Sequence, residues 1–220
     1  MRSLLVLACA ALPLAAQTVR PRLEGRVPAQ VIPLIDSIVR AAAADSLPTE
    51  PLVQKALEGG AKHVSADRIV LAVRLRRDRL EAARALLVRA GDPPPVTPLK
   101  VTAVATALSR GVPAPTVEHV VAGLPGAPHA AALQAVADLL AHKFDPDSSA
   151  QLILDAARLG VPRERYPDVA TAVIHELQRG STREGALAHV RAGLPNLPPP
   201  ARPTPKAASD AKRPGATPPR

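Results

Sequence analysis

Apolar residues recur through most of the chain at alternating steps of three and four, the period of a helix that buries one face. Ile35, Ile38 and Val39 form the first stripe, in a run that continues through Ala41 to Ala44. The longest stripe is Ile69, Val73, Leu80, Ala83, Leu87 and Ala90; it predicts a helix from an N-cap at Ser65 to Gly91, with Arg76 in the middle of its apolar face. Between stripes the chain is punctuated in one recurring way, clearest at Gly111-Val112-Pro113 and Gly160-Val161-Pro162. Glycine takes the left-handed conformation that closes a helix, proline suits the first turn of the next, and the valine between them packs back on the helix just ended. Degenerate copies stand at 60–65, 143–146 and 180–182.

The same signals place the remaining helices. Thr49 reads as the N-cap of a short helix over 51–58 that Gly59-Gly60 stops. Thr97-Pro98 opens a helix to Arg110, and a short one covers 117–122. Gly123-Leu124-Pro125-Gly126-Ala127-Pro128 is the strongest internal loop signal and a candidate hinge between two helical halves. Helices follow over 129–142 and, after an Asp145 N-cap, over 147–159. The stretch 162–178 should break or restart near Tyr166-Pro167, since a residue before proline disfavours the helical region. Ser181 with Glu184 three residues later predicts a capping box for a last helix to about Ala192. The expected fold is all-α, an irregular stack of short helical hairpins around one longer helix.

Composition narrows this further. Hydrophobic residues make up 47% of the 220, yet aromatics only 1%, so alanine, leucine and valine supply the core. Small side chains let helices approach closely, which favours packed helices over sheets. At the N-terminus, Met1-Arg2, the apolar run from Leu4 to Leu14 and the small residues Ala15-Ala16 read as a secretory signal peptide ending at residue 16. The expected organisation is thus a signal peptide over 1–16, a flexible lead-in over 17–28, a helical domain over 29–194 and a disordered basic Pro/Ala-rich tail over 195–220. Export places the protein in the periplasm or outside the cell. Cys9, the only cysteine, sits too early for a lipoprotein cleavage box, and its loss with the signal peptide would remove disulfides and thiol chemistry together.

The net charge of +9 is unevenly spread: residues 17–194 hold 22 basic against 18 acidic residues, and the last 26 hold five against one. In the tail, Arg202, Lys206, Lys212 and Arg213 are candidate contacts to an anionic membrane or wall polymer. Within the helical domain, Arg74, Arg76, Arg77 and Arg79 form the most basic patch, able to grip a carboxylate or phosphate. Alternatively, Arg76 lays its stem over the core and pairs with Asp78, Glu81 or a neighbouring helix. Nucleic acid is not the expected partner, because aromatic stacking platforms are missing.

Catalytic and metal signatures do not assemble. His175-Glu176 begins like a zinc-protease motif, but Arg179 stands where the second histidine must be. Asp138 and His142 lie one helical turn apart, and two ligands do not make a site. His63, His119, His129 and His189 show no partner at ligand spacing, and no nucleophile elbow, Ser-x-x-Lys pair or phosphate-binding glycine loop occurs. No catalytic residue, metal or cofactor is therefore expected.

Leu47-Pro48-Thr49-Glu50-Pro51-Leu52, followed by Lys55-Ala56-Leu57-Glu58-Gly59 and Arg68-Ile69-Val70 before Ala72-Val73, resembles uncharacterised exported helical proteins of bacteria over about a third of the chain. The resemblance implies export and helices, with no ligand, partner or catalytic residue. The expected function is a non-catalytic helical module of the cell envelope that binds a protein or envelope component. Two alternatives stay open: an anionic-surface binder using the tail and the arginine patch, and a carrier for an apolar ligand.

Overall fold

The computed structural model describes residues 19–196; the expected signal peptide over 1–16, Cys9 and the candidate tail contacts Arg202, Lys206, Lys212 and Arg213 lie outside the described residues. Those described are all-helical, with ten packed α-helices and no strand. In order they are α1 (Arg20–Leu23), α2 (Ile32–Ala44), α3 (Glu50–Ala61), α4 (Ala66–Arg89), α5 (Pro98–Ser109), α6 (Ala114–Gly123), α7 (Ala130–Ala141), α8 (Pro146–Arg158), α9 (Tyr166–Gln178) and α10 (Arg183–Gly193). From α4 onward they form two layers. Helices α5, α7 and α9 stack in one, while α4, α6, α8 and α10 stack in the other; α1, α2 and α3 close the N-terminal end against α4. The core is aliphatic, with Leu52, Ile69, Leu80, Leu87, Leu133, Leu139, Leu152 and Ile153 among its largest fully buried side chains.

What joins these helices is one repeated piece of backbone. Seven of them, α2, α3, α4, α5, α7, α8 and α9, end on a residue with positive φ, and at each the following N–H bonds a carbonyl five residues back. At the end of α5, for example, Gly111 N bonds Leu108 O at 3.1 Å and Val112 N bonds Ala107 O at 3.1 Å. These are Schellman closures, which satisfy the last carbonyls of a helix and turn the chain back. The residue after the turn plugs the core: Leu47, Val112 and Phe144 are buried, and Val64 and Val161 pack on the core from its edge. The glycine–valine–proline punctuation is therefore this closure. His63, Lys143 and Ser46 adopt it without being glycine, at φ of 51°, 66° and 57°.

Several expectations change. Residues 19–27, read as a flexible lead-in, contain α1, and Val19, Leu23 and Val27 are buried. Arg22 grips Glu50 at the start of α3 through two hydrogen bonds of 2.7 and 2.8 Å, which with one from Gln54 hold that carboxyl down at about 2. Gly59-Gly60 does not stop α3. Both glycines lie inside the helix, and neither has room for a Cβ: one on Gly59 would meet Ile69 at 2.8 Å and one on Gly60 would run into the Arg26 carbonyl. They are sites of close approach, and the helix ends at His63 instead. The last helix is capped by Thr182, whose hydroxyl accepts from Gly185 N, and not by Ser181. The Asp145 cap forms as expected, accepting from Ser148 N at 2.8 Å, and α9 restarts at Tyr166 after a 3₁₀ turn.

Because a β-carbon at Gly111 meets nothing within 4 Å, only backbone strain opposes one there. Gly111→Ala should destabilise the protein by about 1 kcal/mol, and Lys143→Gly should stabilise it by up to about 1 kcal/mol, since an L side chain in this conformation costs roughly that much. Chemical denaturation of the two variants checks the opposite signs.

Candidate anion-binding cleft

Helix geometry divides the Arg74–Arg79 patch. Positions 72, 76 and 79 fall on one face of α4, and 73, 77 and 80 on another. Arg77 turns toward α2 and pairs with Asp45 at 2.8 Å; Arg74 is exposed on a third face. Arg76 and Arg79 instead line a cleft of about 470 Å³ with Lys55, Gln54 and Glu58 of α3 and Ser109 at the end of α5. Three described arginines are partly shielded from water: Arg76, Arg77 and Arg165. Arg77 has Asp45 and Arg165 has Asp168, whereas Arg76 pairs with neither Asp78, Glu81 nor any other carboxylate among the described residues. Burial pulls the Arg76 guanidinium below its ordinary pKa, and the charge of Arg79 adds to that. Glu58, the one acid in the lining, is taken up by Lys55 and Lys62, whose ammonium groups hold it down at about 2. The cleft thus presents two uncommitted guanidiniums, one of them already stripped of much of its water, to whatever carries negative charge.

A second cluster was hidden from sequence reasoning. Asp92 follows the left-handed Gly91 at the end of α4, where the other closures mostly have a leucine, valine or phenylalanine, and its side chain is fully buried. Lys100 of α5 donates to its Oδ2 at 2.7 Å, His129 Nε2 lies 3.1 Å from Oδ1, and Gly126 N donates to the same oxygen at 3.2 Å. Burial alone would raise the Asp92 carboxyl, but these hydrogen bonds hold it below its usual range. Burial lowers the pKa of His129 despite Asp92, and its Nδ1 is left without a partner. The loop 123–128, read as a hinge, is instead pinned to the α4–α5 joint. Only spatial proximity unites Asp92, Lys100 and His129, which lie eight and 37 residues from Asp92, so no local spacing announces them.

The cluster has no opening for a substrate, since His129 is completely buried. The other five histidines are exposed. His142 bonds the Asp138 backbone oxygen, while the Asp138 carboxylate goes to Arg110 at 2.6 Å, so the pair does not converge on a metal. His119, Asp147 and Ser148 line one cleft between α6 and α8, yet Ser148 donates to Asp145 and Asp147 accepts from Thr116, so no nucleophile–base hydrogen bond links them. A shallow apolar groove of about 220 Å³ lies between α5 and α7, lined by Leu99, Ala103 and Leu133 with Thr102, Thr106 and Arg110. It falls below the size of a pocket that encloses a small ligand.

Asp92→Ala should cost about 3–5 kcal/mol by leaving Lys100 buried without its counter-ion, whereas Asp92→Val combined with Lys100→Met and His129→Leu should recover most of that loss. Because His129 is depressed in the fold, the unfolded chain binds the extra proton first. Stability should therefore decline as pH falls below about 6.5, and His129→Gln should flatten that decline in thermal melts. Comparison with protein-family models, curated proteins and solved structures gave no match for this chain, so its function is argued from this geometry.

Proposed function

We propose that this protein is a non-catalytic helical module, exported to the cell envelope, that binds another protein along the face of its hairpin stack bearing Arg76. The observation that carries the reading is Arg76 itself. A partly buried arginine without a carboxylate is costly to keep, because desolvation is not offset by a pair. A partner that supplies the missing charge recovers that cost on binding. Stacked hairpins supply the rest, since they offer an extended surface rather than an enclosed pocket.

Binding to an anionic surface through the tail together with the arginine patch is the competing reading, and the two differ in what they require. Protein binding requires Arg76 and Arg79; surface binding requires residues 197–220 and falls steeply with salt. The test is a photo-cross-linking side chain at exposed Thr106 of the full chain in its native cell. The reading expects one protein adduct that disappears with Arg76→Glu/Arg79→Glu and persists when residues 197–220 are deleted. Adducts indifferent to charge reversal would overturn it.

A further inference from the structure

The cationic cleft and the apolar groove flank the same helix, α5. Helix α5 lies between α4 and α7 and exposes a single stripe, Leu99, Thr102, Ala103, Thr106, Ser109 and Arg110. Ser109 forms part of the cationic cleft, and Thr106 and Arg110, on the same turn, form part of the apolar groove. The stripe from Leu99 to Ser109 is about 15 Å long at the helical rise of ~1.5 Å per residue. The cationic cleft carries Arg76 and Arg79 uncommitted; in the groove on the other flank Arg110 is neutralised by Asp138 and the lining is chiefly Leu99, Ala103 and Leu133. Charge is therefore offered on one flank of α5 and apolar surface on the other.

We infer that cleft and groove act together as one trough across α5 that binds an acidic–apolar segment of a partner protein, with a carboxylate between Arg76 and Arg79 and an aliphatic side chain in the groove against Leu99, Ala103 and Leu133. This deepens the protein-binding reading and rests on it. The step from Ser109 to Ala103 is about 9 Å by the same rise, which an extended chain covers in roughly three residues. The segment accordingly carries its aliphatic anchor about three residues from the acid. Charge complementarity selects the acid, and groove size selects a side chain over a lipid: about 220 Å³ of open groove, floored by threonine and alanine, seats one aliphatic group and not an acyl chain. Glu58 tempers the site by neutralising Lys55.

The experiment uses the full chain and a fluorescein-labelled peptide with two adjacent aspartates and a leucine three residues on, in a Gly/Ser background, read by fluorescence polarisation. Changing the aspartates to asparagine, the leucine to serine, or doubling the spacing should each weaken binding about ten-fold. Arg76→Gln/Arg79→Gln should abolish the preference for aspartate over asparagine, Thr106→Trp should block the trough from its exposed side, and Glu58→Gln should tighten binding. Arg74→Gln, on another face of α4, should change nothing. Equal binding of all peptides would overturn the inference. So would equally tight, Arg76-dependent binding of phosphatidylglycerol vesicles, which would assign the cleft to lipid headgroups. If the peptides fail to discriminate while the cellular adduct still depends on Arg76 and Arg79, the partner chemistry is wrong and the protein-binding reading survives; if that adduct is also indifferent, both fall.

Discussion

Every reversal of direction from α2 to α5, and again from α7 to α10, depends on one backbone device. A residue in the left-handed conformation lets the last carbonyls of a helix be satisfied by two N–H groups just beyond it, and the next side chain is driven back into the core. The device needs almost nothing from its neighbours: glycine or a tolerant polar residue at the turn, and one apolar residue after it. That is why a chain nearly without aromatics can fold. Its cohesion comes from many short aliphatic contacts, repeated at each joint, between helices of ten to thirteen residues that only small side chains allow to sit so close.

Local devices are legible in a sequence, and that is what reading the sequence recovered. Gly111-Val112 and Gly160-Val161 announce their closures, Asp145 announces its cap, and the stripe from Ile69 to Leu87 announces the longest helix. The errors share a cause: each residue was given a local meaning when tertiary contact had claimed it. Gly59 and Gly60 look like a helix stop, but they are there to admit Ile69 and the Arg26 carbonyl. The segment around Leu23 looks loose because its helix is one turn long, and it is held by a salt bridge and burial against distant helices. Asp92 looks like an unremarkable turn residue, since nothing near it signals that Lys100 and His129 will meet it inside the protein.

The arginine patch shows the same division between type and placement. Sequence identified the basic run on α4 but not which neighbours its four arginines would meet, with Arg77 going to Asp45 and Arg76 and Arg79 lining one cleft with α3 and Ser109. Composition counts charges; only geometry says which of them are already spent. Many charged side chains here are partnered at the surface, where such pairs contribute little to stability. Functional interest therefore concentrates on the shielded cation that was left without one.

A stack of hairpins is close to a one-dimensional object, in which each unit feels mainly its immediate neighbours and the ends are free to fray. The Asp92 network departs from that arrangement. It ties the junction between α4 and α5 to the junction between α6 and α7, so the hairpin lying between them is closed at both its entrance and its exit by the same carboxylate. Separating either junction means exposing a buried ion pair, which makes this central section a single cooperative block. Helix α5, which lines both the cationic cleft and the apolar groove, lies within it and is consequently held against the breathing that an open-ended helical stack would otherwise show.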